Sequence, residues 1–139
     1  MKMRVLYSSP KGKMATFAAA IAESQNCGVD VIPPAYACDK ERLVIIGLSL
    51  KKEPENALRL FCRELDKTKT QHVAIFTDNA PDAPALKSIK ETLREAGTTL
   101  IGEVLTVEGG LPFKFAKKIT PEEKAAVIKW TEEVMSKIQ

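Results

Sequence analysis

The chain has 139 residues, of which 45% are hydrophobic and 28% charged, with a net charge of +3 from 21 basic and 18 acidic side chains. That length suits one domain, read here as spanning residues 1–139, and it can bury roughly two thirds of its unfolded surface without a disulfide or metal staple. A mild positive excess does not call for nucleic acid. The single histidine, His72, excludes mechanisms that need two.

Cys27, Cys38 and Cys62 are odd in number and contain no CxxC pair, so a reducing, cytoplasmic setting is expected. With His72 they make a Cys₃His set by count only, since zinc-type paired spacing is absent. The apolar run Val5-Leu6-Tyr7 is too short for a signal peptide core, and nowhere do about 18 apolar residues run together, so no membrane span is expected.

In chain order, Val5-Leu6-Tyr7 predicts a first strand that ends in the loop Ser8-Ser9-Pro10-Lys11-Gly12. Met14, Phe17, Ala18, Ile21 and Ala22 recur at helical spacing and predict a first helix, with Gly28 standing where it should have ended. Val29–Ile32 reads as a second strand, less buried because Asp30 interrupts it. Leu43-Val44-Ile45-Ile46-Gly47 is a continuous apolar run, as in strands covered on both faces of a parallel sheet. Leu58, Phe61, Cys62 and Leu65 mark a second helix, and Val73–Phe76 a fourth strand. Asp82 is the expected cap of a third helix with the stripe Leu86, Ile89, Leu93 and Ala96, closed by Gly97. Leu100–Val107 is a fifth strand, with Gly102 and Glu103 suggesting a bulge. Thr120-Pro121-Glu122-Glu123 is a capping box with proline at the first helical position. It opens a last helix with Val127, Trp130, Val134 and Ile138 on one face, so Trp130 reads as core.

Strands alternating with helices predict an α/β three-layer sandwich around a five-stranded parallel sheet of order 2-1-3-4-5. The loops Ser8–Met14, Leu48–Pro54, Thr77–Ala83 and Glu108–Ile119 should gather at one sheet edge, where ligands bind in such folds. His72 begins its strand at the other edge and reads as a surface residue. A phosphoreceiver needs a carboxylate after the third strand, where Gly47-Leu48-Ser49 stands, and an acidic pair after the first, where Ser8-Ser9 stands. A dinucleotide fold needs GxGxxG at the first turn, where Gly12 is the only glycine. Both are rejected.

The segment Tyr7-Ser8-Ser9-Pro10-Lys11-Gly12-Lys13-Met14, followed by Ala18, Ala20, Ile21, Ala22 and Glu23, resembles the phosphate loop and first helix of the flavodoxin family. Leu43–Gly47, Val73–Thr77 and Val107-Glu108-Gly109-Gly110-Leu111-Pro112 resemble its third strand, fourth strand and the segment after the fifth. The resemblance covers nearly the whole chain and implies noncovalent FMN and electron transfer with a redox partner protein. It places the phosphate on Ser8, Ser9, Lys11, Gly12, Lys13 and Met14. The ring falls between Leu48, Ser49, Thr77, Asp78 and Asn79, with Gly109 and Gly110 nearby.

Three departures stand against that pattern. Lys11, Lys13 and Met14 replace two threonines and an asparagine, so two hydroxyl donors to phosphate are missing. The lysines either supply charge to a phosphate or are solvated loop charges. No aromatic residue falls in the second or third loop to stack on a ring, and Leu48 and Leu50 fit either a flavin face or the core. Phe113 and Phe115, with Lys114, Lys117 and Lys118, form a basic flap after the fifth strand. The alternative function is a flavodoxin-fold binding or regulatory module that has lost or weakened flavin binding.

Overall fold

A computed structural model describes residues 2–8, 13–50, 53–108 and 118–138. The chain runs β1 (Met3–Tyr7), α1 (Met14–Gln25), β2 (Gly28–Val31), β3 (Glu41–Leu48), α2 (Asn56–Glu64) and β4 (Thr70–Thr77). It continues through α3 (Pro84–Ala96), β5 (Thr99–Leu100), β6 (Leu105–Thr106) and α4 (Pro121–Ser136). The strands form one parallel sheet in the order β2-β1-β3-β4-β5, with β6 also paired to β4. Val5 pairs with Val29 on one side and Ile45 on the other, and Ile45 with Ala74, so the apolar run of β3 sits mid-sheet.

Two apolar layers flank the sheet, one under α1 and α4 and one under α2 and α3. Alternation along β3 feeds both: Leu43 and Ile45 face the first layer, Val44, Ile46 and Leu48 the second. Burial on both faces explains the unbroken hydrophobic run. Each helical stripe read from the sequence supplies one layer. Met14, Phe17, Ala18, Ile21 and Ala22 are buried on α1, and Leu86, Ile89 and Leu93 on α3. The edge strand β2 is only half-buried, as Asp30 suggested. The Asp30 carboxylate accepts from the amides of Val31 and Ala35 and pins the turn after the strand.

Three local readings change. The predicted fifth strand is two short pieces, because Gly102 takes a left-handed conformation (φ 74°) and bends the chain off the sheet edge. Helix α1 ends before Gly28, at Asn26 in the left-handed region (φ 52°). Helix α3 is capped at Ala83 with Pro84 as its first residue, and no side chain bonds the cap. Asp82 is exposed just outside, so its expected role as cap does not hold.

Gly47 meets a packing demand. A Cβ there would lie 2.3 Å from Phe76 Cζ and 2.6 Å from Cε2. Phe76 has no room to move aside, since its ring meets Phe17 edge-on at 6.3 Å and Trp130 at 6.2 Å.

Candidate functional site

The parallel register delivers the carboxyl ends of β1, β3 and β4 side by side, so residues far apart in sequence meet there. Thr77 is fully buried, and its hydroxyl must find an acceptor. It donates to the Leu48 carbonyl at 2.7 Å and lies 3.0 Å from Asn79 Oδ1. The Asn79 amide behaves like a strand neighbour for Leu50. Its Oδ1 accepts from the Leu50 N–H at 2.8 Å, and its Nδ2 donates to the Leu50 carbonyl at 2.9 Å. Ser49 Oγ donates to Asp78 Oδ2 at 2.9 Å, and the Ser49 N–H donates to Ser8 Oγ at 3.1 Å.

These bonds join the loops after β1, β3 and β4 into one network. Its effect on the backbone is specific. The amides of Ser49, Leu50, Asp78 and Asn79 all donate within the protein, to Ser8 Oγ, Asn79 Oδ1, the Leu48 carbonyl and Thr77 Oγ1. A flavin ring edge lodged here would have to displace those partners. Leu48 is fully buried in the α2/α3 layer, and Leu50 packs against the same layer. Both leucines therefore belong to the core.

The other end of the edge differs. Lys13 is the N-cap of α1, and its side chain makes no cap hydrogen bond. The first-turn N–H groups of a helix are the kind of donors an anion takes. The Met14 side chain is fully buried, so only its backbone is placed for a ligand. Lys13 Nζ instead lies 3.4 Å from both carboxylate oxygens of Glu123, a half-buried pair at 15% and 23% side-chain exposure. Glu123 also closes the capping box of α4, accepting from Thr120 N at 2.9 Å while donating its own N–H to Thr120 Oγ1 at 3.0 Å. The Thr120 amide, with help from the Lys13 charge, holds the Glu123 carboxyl below its ordinary range. The box was legible from the sequence. Its partner Lys13, 110 residues away, was not.

Ser9, Lys11, Gly12, Gly109, Gly110 and the flap residues Phe113, Lys114, Phe115 and Lys117 lie outside the described residues. Lys118 is exposed.

The remaining candidates are structural. Among the described residues no group of histidine, cysteine and acidic side chains is placed to hold a metal. Burial raises the thiols of Cys27 and Cys38 and pushes Cys62 up to about 12, so none is an activated nucleophile. His72 sits at the far end of β4, its Nδ1 3.2 Å from the Arg42 carbonyl. Trp130 packs in the core and donates to the Glu103 carbonyl at 2.9 Å. No helix among the described residues is long and apolar enough to cross a membrane.

The loops at residues 48–54 and 77–83 carry no aromatic side chain. The described residues thus fit the phosphate of a flavin nucleotide at the α1 start. They do not offer its ring a stacking partner in the second or third loop, and the amides of Ser49, Leu50, Asp78 and Asn79 are already engaged.

No protein-family model matches the chain, and no curated protein matches it in sequence. Solved structures do. The flavodoxin of Streptococcus pneumoniae TIGR4 superposes with a TM-score of 0.63 at 14% identity, over 98% of this chain and 99% of that one. The diflavin flavoprotein A3 from Nostoc sp. gives 0.54 at 18% identity, over 96% and 92%. The Trp repressor binding protein from Bacillus subtilis gives 0.56 at 14% identity, over 93% and 97%. The fold is flavodoxin-like.

Proposed function

We propose that this flavodoxin-like chain is a binding module whose affinity for flavin is weakened. In this reading it keeps an anion-binding start at α1 and has given the ring end over to its own side chains. The observation that carries the reading is the cross-loop network, in which the amides of Ser49, Leu50, Asp78 and Asn79 have protein partners. Insertion of a ring would break these bonds before making its own, and an unmade buried hydrogen bond costs about 1–3 kcal/mol. The second and third loops carry no aromatic side chain to offset that loss.

A second reading has its own support. The start of α1, where the Lys13 side chain makes no cap bond, suits a phosphate, and an FMN carrier of flavodoxin type would hold it there. Ser8, Ser9, Lys11, Gly12 and Lys13 would bind the phosphate with the Met14 amide. Gly109 and Gly110 would lie close to the flavin. FMN would supply one-electron chemistry towards a redox partner protein.

Titration separates the two. FMN, riboflavin and inorganic phosphate are added to the purified protein and followed by flavin fluorescence and calorimetry. The module reading expects FMN to bind with a Kd of roughly 0.1–1 mM, as for a site using one end of its ligand. Phosphate should compete and riboflavin should not bind. A protein isolated yellow, or one that binds riboflavin and FMN at micromolar Kd, would establish the carrier instead.

A further inference from the structure

The split of the last strand leaves a cleft on one side of the sheet. β5 pairs with β4 at His72 and Val73, and β6 pairs with it at Phe76 and Thr77. Between them no strand among the described residues pairs with Ala74 and Ile75 on that side. The intervening bend is drawn towards α4, because Trp130 Nε1 holds the Glu103 carbonyl and Gly102 lies close against Val134. A Cβ on Gly102 would come within 3.1 Å of Val134 Cγ2. Leaning to the α4 side, the bend opens ≈ 350 Å³ on the α3 side. Half-buried Leu100 and Val104 present the apolar surface of the cleft, over the buried Val73 and Ile75. Lys90 and Arg94 of α3 line it as well, with Glu103 on the bend.

The charges on α3 are sorted. Lys87, Lys90 and Arg94 recur at i, i+3 and i+7 along one side of α3, and Lys90 and Arg94 line the cleft. Glu91 and Glu95 lie further round, away from it. Among the described residues none of the three cations has a carboxylate partner. From Lys87 to Arg94 the line of positive charge is about 10 Å long, at a rise of about 1.5 Å per residue. An extended peptide covers that distance in about three residues.

We propose that this cleft is a docking site for an extended acidic segment of a partner protein. One apolar side chain of the segment packs against Leu100 and Val104, and carboxylates on either side of it meet Lys90 and Arg94. A buried apolar anchor with charges around it is how short peptides gain both affinity and orientation. A nucleic acid strand is a poorer occupant, since the walls offer no aromatic face for base stacking. The proposal is independent of the loop edge, and neither its success nor its failure bears on flavin binding.

The test is amide chemical-shift mapping on the full-length protein with a synthetic peptide, acetyl-Asp-Glu-Ile-Glu-Asp-amide. Shifts are expected to concentrate at Val73–Ile75 and Leu100–Val104. The charge-reversed pair Lys90→Glu and Arg94→Glu, both surface changes, should raise Kd at least tenfold while the remaining spectrum confirms the fold. Replacing the peptide's isoleucine by serine should weaken binding several-fold, a change that leaves the protein untouched. Absence of shifts at millimolar peptide overturns the proposal, as does equal binding of the lysine-for-acid counterpart. Equal binding of the serine peptide, or the same shifts with tripolyphosphate, overturns it too by reducing the cleft to a general anion patch.

Discussion

Replacing Asn79 by alanine tests whether the cross-loop network closes the ring end. The side chain makes two hydrogen bonds to Leu50, at 2.8 and 2.9 Å, and a third contact to Thr77 at 3.0 Å. Each neutral bond contributes about 0.5–1.5 kcal/mol net, so the pair to Leu50 is worth roughly 1–3 kcal/mol. Leu50 is only half-buried, and water can reach its freed groups, which favours the lower half of that range. A loss near 1.5 kcal/mol lowers Tm by about 4–7 °C in a chain of this size. Urea unfolding should register the loss, and hydrogen exchange should place it at the Leu50 amide. The same change removes a cost that a flavin ring otherwise meets. Since about 1.4 kcal/mol is a factor of ten, FMN should bind the variant roughly tenfold more tightly. Riboflavin should gain measurable affinity, and inorganic phosphate should bind as before. If Asn79→Ala is destabilised as expected but FMN binds no better, the network is not what excludes the ring. If FMN binding is weaker, Asn79 is itself a ligand and the carrier reading gains.

Gly47→Ala should cost about 1–3 kcal/mol or more, because the new methyl meets the confined Phe76 ring at 2.3 Å. Adding Phe76→Leu should recover part of the loss in a double-mutant cycle measured by chemical denaturation. Cys62 is fully buried with its thiol raised to about 12, so Ellman's reagent should leave it unmodified in the native state and react only after unfolding. Glu123 ionises more readily when folded than its ordinary 4.5, so its contribution is present above that value and lost as pH falls through the lower folded one. Amide exchange in the first turn of α4 should therefore rise selectively below about pH 4.5. Thr120→Ala, which removes the other half of the capping box, should cost about 1 kcal/mol at neutral pH.

What the sequence made legible was whatever one segment decides alone. The run Leu43–Gly47 is a strand covered on both faces, and the stripes from Met14 to Ala22 and from Leu86 to Leu93 are the buried sides of helices. Thr120 and Glu123 cap each other across three residues, and the pattern is visible in the string itself. The ring-end network was out of reach for the opposite reason. Ser8 meets Ser49 across 41 positions, and Asn79 meets Leu50 across 29, a distance that only the parallel register closes. Thr77 and Asn79 were legible as polar loop residues with hydrogen bonds to give. That they give them to Leu48 and Leu50 depends on which strand ends lie side by side. Asp82 misled because a good capping residue stood one position too early, while Pro84 set the helix start with its own fixed φ.

The structure also separates two kinds of resemblance that look alike in the sequence. Gly47 closes the third strand as a flavodoxin-like glycine does, yet Phe76 alone demands it, whether or not anything binds above. Its presence therefore adds nothing to the case for flavin. Phe76, in turn, is held between Phe17 and Trp130, so three of the chain's few aromatics lie in the α1/α4 core, on the far side of the sheet from α2 and α3. Lys13 makes the converse point. It departs from the phosphate-loop pattern, yet it holds its charge at the α1 start by leaning on Glu123. An anion arriving there would compete with that carboxylate for the same ammonium. Binding at the phosphate end would thus be sensed at the first turn of α4, through Glu123 and its bond to the Thr120 amide.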